Sequence, residues 1–263
     1  MSKRARLDAE LVRRGLAASR SEARLAIESG GVTVQGIPAS RPATLVAADD
    51  AIALKGRARE FVSRGGDKLD FALSRLDVAV AGRKWLDAGA STGGFTDRLL
   101  RSGAQLVIAL DVGYGQLDWK LRNDERVIVM ERTNVRTLGP RDLPWRPEGV
   151  VGDLSFISLT RVLPALAGVA VQSADFVLLV KPQFEVGRDA VRGGVVRDPE
   201  LWRLAVGKVV DAAAELDLGL AGATPAFPPG PAGNKEFFVH LRRGAPDDRE
   251  AIERAVEEAA QWS

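Results

Sequence analysis

The stretch from residue 87 to residue 96, DAGASTGGFT, constrains the fold more than any other part of the chain. An acidic residue closes an apolar run, small residues and glycines follow, and the helix-forming letters DRLL come next. A glycine-rich link between a strand and a helix lets the backbone approach a bound nucleotide closely. The stretch therefore predicts a nucleotide-cofactor loop, with a plain strand-to-helix turn as the structural alternative.

Short apolar runs alternate with helical patterns on both sides of this loop, from residue 83 to the run FFVHLRR. This alternation predicts a doubly wound α/β sheet, in which ligands bind beyond the carboxyl ends of the strands. One long helical pattern runs from Leu201 to Leu218. The polar residues at the predicted strand ends are Asp87, Asp111, Thr133, Asn134, Asp153 and Lys181.

The acid at the end of the next predicted strand narrows the class of ligand that the loop is expected to bind. Asp111 follows the loop at roughly the 20-residue distance expected for an acid that receives ribose hydroxyls. The loop is not GxGxxG and has no Walker lysine, which disfavours a dinucleotide and a nucleoside triphosphate. Asp87 suits a cationic ligand end, such as the amino group or sulfonium of S-adenosylmethionine. Together they predict a nucleoside cofactor.

Four charged residues form a candidate set for proton handling. Asp153 and Lys181 each end an apolar strand, so they reach the same edge of the sheet, whereas the sequence alone does not place Lys68 and Glu236 beside them. An ordinary ion pair is the alternative for each residue. Methyl transfer to a ribose 2′-hydroxyl would require a group that orients the hydroxyl and takes its proton. We predict Lys181 as the base, Asp153 as its orienting partner, and Lys68 with Glu236 as substrate-positioning groups.

The first part of the chain predicts a separate small module of two helices followed by short strands. Leu7, Leu11, Val12 and Leu16 mark one apolar helical face, and Gly15 is a helix stop. The polar segment that follows the last short strand gives predicted domains at residues 1–57 and 63–263, joined by a linker at 58–62.

Basic residues crowd this module and its junction, which suits an RNA phosphate backbone, with a solvated helix face as the alternative. The predicted RNA-binding residues are Lys3, Arg4, Arg6, Arg13, Arg14, Arg20, Arg24, Arg59 and Arg64.

The amino-acid composition argues against several classes of protein. The chain has no cysteine and one histidine, which excludes disulfides and thiolate metal sites and predicts no metal centre. The N-terminus lacks the apolar core of a signal peptide, and the longest apolar stretch is interrupted by Pro164 and Asp175. We therefore predict a cytoplasmic protein without a membrane span.

The N-terminal stretch RLDAELVRRGLAASRSEARLAIESGGVTVQG resembles an S4 domain, the helical-hairpin RNA-binding module of ribosomal protein S4 and pseudouridine synthases. The resemblance implies that structured RNA is the partner of this module.

Nearly the whole chain resembles the TlyA family of 2′-O-methyltransferases, which join an S4 domain to an FtsJ-like methyltransferase domain. The motifs that carry the resemblance are RLDAELVRRGLA, FVSRGGDKL, DAGASTGGFT, ALDVGYGQL, ERTN, DLSFISL, KPQFEVG and GNKEFF. It implies a Rossmann-like class I domain that uses S-adenosylmethionine. The implied substrate is cytidine in the 16S or 23S RNA of ribosomal subunits, at the subunit interface.

The resemblance also implies roles for individual residues. By motif position, the catalytic set of the family falls on Lys68, Asp153, Lys181 and Glu236. Its cofactor positions fall on Asp87, Gly89, Ala90, Ser91, Gly93, Gly94, Phe95, Asp111, Val112, Thr133, Asn134 and Asp153.

Two features bear on these implied roles. Asp67 precedes Lys68, where we expect a small or apolar residue, and it favours Lys68 as a cation over Lys68 as a base. The N-terminal SKRAR and the helix-forming tail after Asp247 resemble the longer subgroup, which modifies both ribosomal subunits.

Three alternative functions stay open at the level of sequence. The first is a membrane-lytic protein, because this family has carried a haemolysin label. The second is an RNA-binding assembly factor whose methyltransferase fold is inactive, and the third is an NAD-linked oxidoreductase.

Overall fold

The computed structural model describes residues 4–17, 20–28, 30–54, 61–187, 191, 193–230 and 233–262. The chain divides into two compact units, residues 1–60 and 61–263.

The first unit combines two helices with short strands. Leu7 and Leu11 of its first helix and Ile27 of its second are fully buried in a small apolar core. Its elements are β1 (Ala5–Arg6), α1 (Leu7–Arg13), α2 (Arg20–Glu28), β2 (Val32–Val34), β3 (Ile37–Pro38), β4 (Leu45–Val46) and β5 (Ile52–Leu54).

One detail of this unit differs from the prediction. The first helix ends before Gly15, which adopts the left-handed conformation with φ at +69°. A helix commonly stops at such a glycine. The prediction that Leu16 lies on the apolar helical face is wrong, because the chain has turned by that point and leaves Leu16 38% exposed.

The second unit has helices on both faces of one sheet. Its elements are α3 (Arg64–Leu76), β6 (Lys84–Ala88), α4 (Gly94–Arg101), β7 (Leu106–Leu110), α5 (Trp119–Arg122), β8 (Val127–Met130), β9 (Gly149–Gly152), α6 (Leu163–Val169), β10 (Asp175–Val180), α7 (Pro182–Glu185), α8 (Pro199–Ala214), β11 (Leu218–Pro225), β12 (Phe237–Arg243) and α9 (Glu250–Gln261).

The seven strands lie in the order β11-β12-β10-β9-β6-β7-β8, and all are parallel except for the antiparallel pairings of β12. Side chains of α6, α8 and α9 cover one face of the sheet, and those of α3, α4 and α5 cover the other. This confirms the doubly wound α/β prediction. The strand order reverses between β6 and β9, and ligands of open α/β sheets bind at such a switch point.

The predicted helix from Leu201 to Leu218 is wrong at its C-terminal end. Helix α8 stops at Ala214, and Leu218 begins β11, an edge strand of the sheet. Asp217 between them has a positive φ of 59°, which breaks the helical path. None of the helices in the described ranges is both long and apolar enough to cross a membrane.

Candidate active site

The register of the sheet brings the predicted catalytic strand ends together. Gly152 at the end of β9 pairs with Ala88 on one side and Leu178 on the other. Val180 at the end of β10 pairs with Phe237 at the start of β12. The next residues along the chain at this edge are Gly89, Asp153 and Lys181, and Glu236 precedes β12.

The glycine-rich loop after β6 requires glycine at positions of close approach. Gly89 has a φ of +85°, and a Cβ there would lie 2.9 Å from the carbonyl oxygen of Asp153. A Cβ on Gly94 would lie 2.2 Å from Ser63 Oγ. The loop is therefore packed directly against the segments that carry Asp153 and Lys68, which a plain turn would not need.

A cavity of about 540 Å³ opens beyond the ends of β6 to β9, at the switch point of the sheet. Its volume lies in the range of small-molecule sites. Seven predicted cofactor residues line it, namely Gly89, Ser91, Asp111, Val112, Thr133, Asn134 and Asp153.

The other predicted cofactor residues lie outside this cavity. Ala90, Gly94 and Phe95 line a smaller cavity of about 180 Å³ that shares Gly89, Ser91, Asp153 and Ser155 with the larger one. Asp87 and Gly93 line neither cavity.

Asp111 organises the wall of the larger cavity. Its Oδ2 accepts a hydrogen bond from the Ser91 backbone N–H at 2.8 Å, and its Oδ1 accepts one from Gly113 N–H at 2.7 Å. Each carboxylate oxygen keeps a further lone pair for a ligand hydroxyl. The Thr133 N–H donates to the Asp111 carbonyl at 3.0 Å, which ties the loops after β7 and β8 together.

Asp87 is fully buried beneath the loop. Its Oδ2 accepts the Thr96 hydroxyl at 2.6 Å, while its Oδ1 has no hydrogen-bond partner among the described residues. Burial, with a smaller contribution from the charge of Asp153, raises the pKa of Asp87 to about 7. A buried carboxylate with an unpartnered oxygen suits a cationic group nearby, so the residues present fit a nucleoside cofactor with a positively charged end.

The raised pKa of Asp87 predicts a pH-dependent stability. The folded chain holds a proton on Asp87 up to about pH 7, which the unfolded chain releases near pH 4, so stability falls as the pH rises between these values. Replacing Asp87 with Asn is expected to reduce the loss of unfolding free energy between pH 5 and pH 8 by about 2 to 3 kcal/mol. Urea unfolding of both proteins measures this, and identical pH slopes would contradict it.

The four predicted catalytic residues form two ion pairs. Lys181 Nζ lies 2.5 Å from Asp153 Oδ1 and donates to Ser155 Oγ at 2.8 Å, and all three residues line the smaller cavity. Lys68 Nζ lies 2.5 Å from Glu236 Oε2, and both residues are buried. The first pair therefore faces open space next to the larger cavity, whereas the second lines neither cavity.

Sequence reasoning missed two residues of this region. Ser155 receives the Lys181 hydrogen bond and borders both cavities. Buried Glu185 accepts hydrogen bonds from Ser158 and from the Leu159 N–H. Ser155 lies inside the motif DLSFISL, and Glu185 lies inside the motif KPQFEVG. Their position close to the predicted strand ends was the sequence signal that could have identified them.

The basic residues of the first unit surround two buried acids. Asp8 Oδ atoms accept hydrogen bonds from Arg6, Arg20 and Arg24, and Arg6 most strongly holds the pKa of Asp8 well below its usual range. These three arginines are each about half exposed and thus present one positive surface.

Two further arginines pair with the second acid. Glu10 binds Arg13 and Arg14, and Arg14 also donates to three backbone carbonyls near Asp50. These contacts favour a structural role for Arg14. Arg4 is exposed, and exposed Arg64 donates to the Pro229 carbonyl at 2.9 Å. Lys3 and Arg59 lie outside the described residues.

The fold and the strand-end site define a class of enzyme. Residues 61–243 match the family model of FtsJ-like methyltransferases, and residues 5–52 match the S4 domain. Both parts of the chain are thereby assigned to known families.

Individual relatives are similar over almost the full chain. The 16S/23S rRNA (cytidine-2′-O)-methyltransferase TlyA of Mycobacterium tuberculosis is 52% identical, covering 98% of this chain and 99% of the relative. Hemolysin A of Brachyspira hyodysenteriae is 36% identical, covering 90% and 99%. A solved structure from Streptococcus thermophilus, described as a hemolysin, has 37% identity and a TM-score of 0.79, covering 98% and 96%. The chain belongs to the TlyA family of S4-containing, FtsJ-like methyltransferases.

Proposed function

We propose that this enzyme transfers a methyl group from S-adenosylmethionine to the ribose 2′-hydroxyl of cytidine in ribosomal RNA. The 52% identical relative is named for this reaction on 16S and 23S RNA. We extend the proposal to both RNAs, to positions at the subunit interface, and to ribosomal subunits as the physical substrate. Since the substrate is ribosomal RNA, we place the protein in the cytoplasm.

One observation carries the proposal. The Lys181–Asp153 pair lines a small cavity that adjoins the larger cavity at the switch point of the sheet. The Lys181 amine therefore lies beside the space suited to the methyl donor, where its neutral form can take a proton. A purely structural ion pair would not need to face either cavity.

The cofactor would be held by the wall of the larger cavity. Asp111 offers carboxylate oxygens to ribose hydroxyls, and Gly89 allows close approach to the loop. Asp87 lies buried beneath the loop, where a cationic group of the ligand would favour its charged form. S-adenosylmethionine, when bound, supplies an electrophilic methyl group.

The residues of the smaller cavity handle the nucleophile. A ribose hydroxyl is a poor nucleophile at neutral pH, so its proton must be removed as the methyl group is transferred. We assign the neutral form of the Lys181 amine as the acceptor of that proton, with Asp153 and Ser155 fixing its orientation. Lys68 and Glu236, as a buried pair, position the substrate side of the site.

The first unit docks the RNA. We propose an S4 domain at residues 1–57, a linker at 58–62 and a catalytic domain at 63–263; the matches of residues 5–52 and 61–243 to two different families support a division of this kind. The surface of Arg6, Arg20 and Arg24 around Asp8, with exposed Arg4, provides the positive charge.

The direct test supplies labelled S-adenosylmethionine with separate small subunits, separate large subunits and intact ribosomes, and then maps the methylated nucleotides. Label on the 2′-hydroxyl of cytidine is the expected result. Binding to ribosomal RNA without any label would instead support an inactive assembly factor and overturn the proposal.

The RNA-docking surface predicts a weaker salt dependence when its charge is reduced. Replacing Arg4 and Arg24 with glutamine leaves Asp8 paired with Arg6 and Arg20, so the fold is spared. The slope of log affinity for ribosomal RNA against log salt is expected to fall by about 2. Titrations at several salt concentrations measure this slope. Exposed Arg249→Gln in the second unit is the control, and an equal slope in both variants would contradict the assignment.

A further inference from the structure

Glu185 joins two segments of the active site. It is the last residue of α7, the single-turn helix that starts directly after Lys181, and only 3% of it is exposed. Its Oε1 accepts the Leu159 backbone N–H at 2.7 Å, and its Oε2 accepts the Ser158 hydroxyl. Ser158 and Leu159 close the loop that begins at Asp153, which we call the 153–159 loop.

The 153–159 loop forms part of both cavities. Ser155 accepts the Lys181 hydrogen bond, and Ser155, Phe156 and Ile157 line the larger cavity. Any movement of this loop would therefore change both the orientation of the proposed base and the wall of the cofactor cavity.

The loop is held in a strained backbone conformation. Phe156 has a φ of +63°, in the left-handed region that a residue with a β-carbon rarely adopts. Such a conformation persists only where its surroundings hold it. Two contacts from α7 lie close to it: the Glu185 hydrogen bonds to Ser158 and Leu159, and Phe184, whose ring centre lies 5.3 Å from that of Phe156.

The carboxylate of Glu185 is committed to this loop. Both of its hydrogen-bond donors belong to the loop, while Lys208 Nζ donates to the Glu185 backbone carbonyl at 3.0 Å and not to the carboxylate. Burial raises the pKa of Glu185, because it removes water from the charged carboxylate. A buried acid with both donors on one catalytic loop is suited to holding that loop.

We propose that Glu185 is a positioning residue for methyl transfer, which fixes the 153–159 loop against α7 so that Asp153 and Ser155 keep Lys181 oriented. This inference rests on the proposed function. Glu185 acts through the loop and not on the substrate, because its side chain bonds only to Ser158 and Leu159 among the described residues.

The test changes each partner of the hydrogen bond between Ser158 and Glu185 in turn. Ser158→Ala removes the donor, and Glu185→Gln removes the negative charge and one of the two acceptor oxygens while keeping the side-chain size. Each variant is expected to lower kcat per active site by roughly 10- to 100-fold, because small misplacements of catalytic groups have effects of this size. Ser158→Thr, which retains the hydroxyl, is expected to restore kcat to within about threefold.

Active sites are counted by stoichiometric binding of S-adenosylmethionine, so a loss of folded protein does not count as a loss of rate. Asp175→Asn is the matched control, since Asp175 is also a buried acid with two side-chain partners but lies at the opposite end of β10. Its kcat per active site is expected to stay unchanged.

The double variant Ser158→Ala with Glu185→Gln tests whether the two residues act through one shared contact or whether each substitution damages the site independently. If both substitutions break one contact, the double variant loses no more rate than the worse single variant. Fully additive losses, an unchanged kcat in both single variants, or failure of threonine to restore the rate would each overturn the proposal. Wild-type protein is assayed in parallel, and absence of label there would instead refute the proposed function.

Discussion

Replacing Lys181 with methionine is expected to lower kcat for methyl transfer by about 1000-fold, within the range that general acid–base groups contribute. Methionine matches lysine in length up to the ε position and lacks the amine that pairs with Asp153 and Ser155. The Kd for S-adenosylmethionine is expected to change by about twofold or less, because Lys181 does not line the larger cavity. Single-turnover labelling of ribosomal RNA and calorimetric titration of the cofactor measure the two quantities.

Lys84→Met is the control for removal of a lysine. Lys84 starts β6, at the end of the sheet opposite to the active site, so its replacement is expected to leave kcat unchanged. Wild-type turnover in Lys181→Met would refute the assignment of the base. A matching loss in Lys68→Met with none in Lys181→Met would transfer that role to the buried Lys68–Glu236 pair.

Replacing Asp111 with alanine is expected to raise the Kd for S-adenosylmethionine by about 10- to 100-fold. The variant loses the proposed ribose acceptor, and hydrogen bonds to charged groups contribute about 1.5 to 3 kcal/mol. It also frees the N–H groups of Ser91 and Gly113, so the cavity wall becomes less ordered. At saturating cofactor, kcat is expected to recover to within about threefold, because Asp111 does not contact Lys181 or Asp153.

The control for this variant is Asp142→Ala. Asp142 also accepts a backbone N–H, that of Gly139 at 2.7 Å, but lines neither cavity of the active site. Its replacement is expected to leave the cofactor Kd unchanged. An unchanged Kd in Asp111→Ala, or an equal rise in both variants, would contradict the cofactor role of Asp111.

Much of the fold could be predicted because its signals are local. Apolar runs such as LVIAL and DFVLLV alternate with helical patterns, and such continuous apolar strands are typical of a buried parallel sheet. The edge strand β11 was missed, since its residues continue the apolar character of α8 and only the turn at Asp217 separates them. Short apolar segments of this kind are ambiguous between helix and strand.

The candidate site, like the fold, could be predicted only in part from the sequence. The loop glycines, Asp111 and Asp153 stand at strand ends, and the carboxyl ends of parallel strands meet at one edge, so their grouping followed from the sequence. The individual contacts of these residues could not be predicted from the sequence. Gly93 and Asp87 are predicted to bind cofactor, yet neither lines either of the two active-site cavities, and whether Asp87 acts on the ligand through its buried charge stays a prediction.

Local sequence patterns were sufficient to predict the class of fold, the edge of the sheet at which we expect the chemistry, and the resemblance to an RNA-modifying family, because each depends on patterns within a few dozen residues. Which charged side chains pair with one another became visible only in the folded chain. Lys68 and Glu236 pair across 168 positions of sequence, and Glu185 reaches back to the loop after β9. Such pairings depend on strand order and on how each helix packs, which local periodicity does not encode.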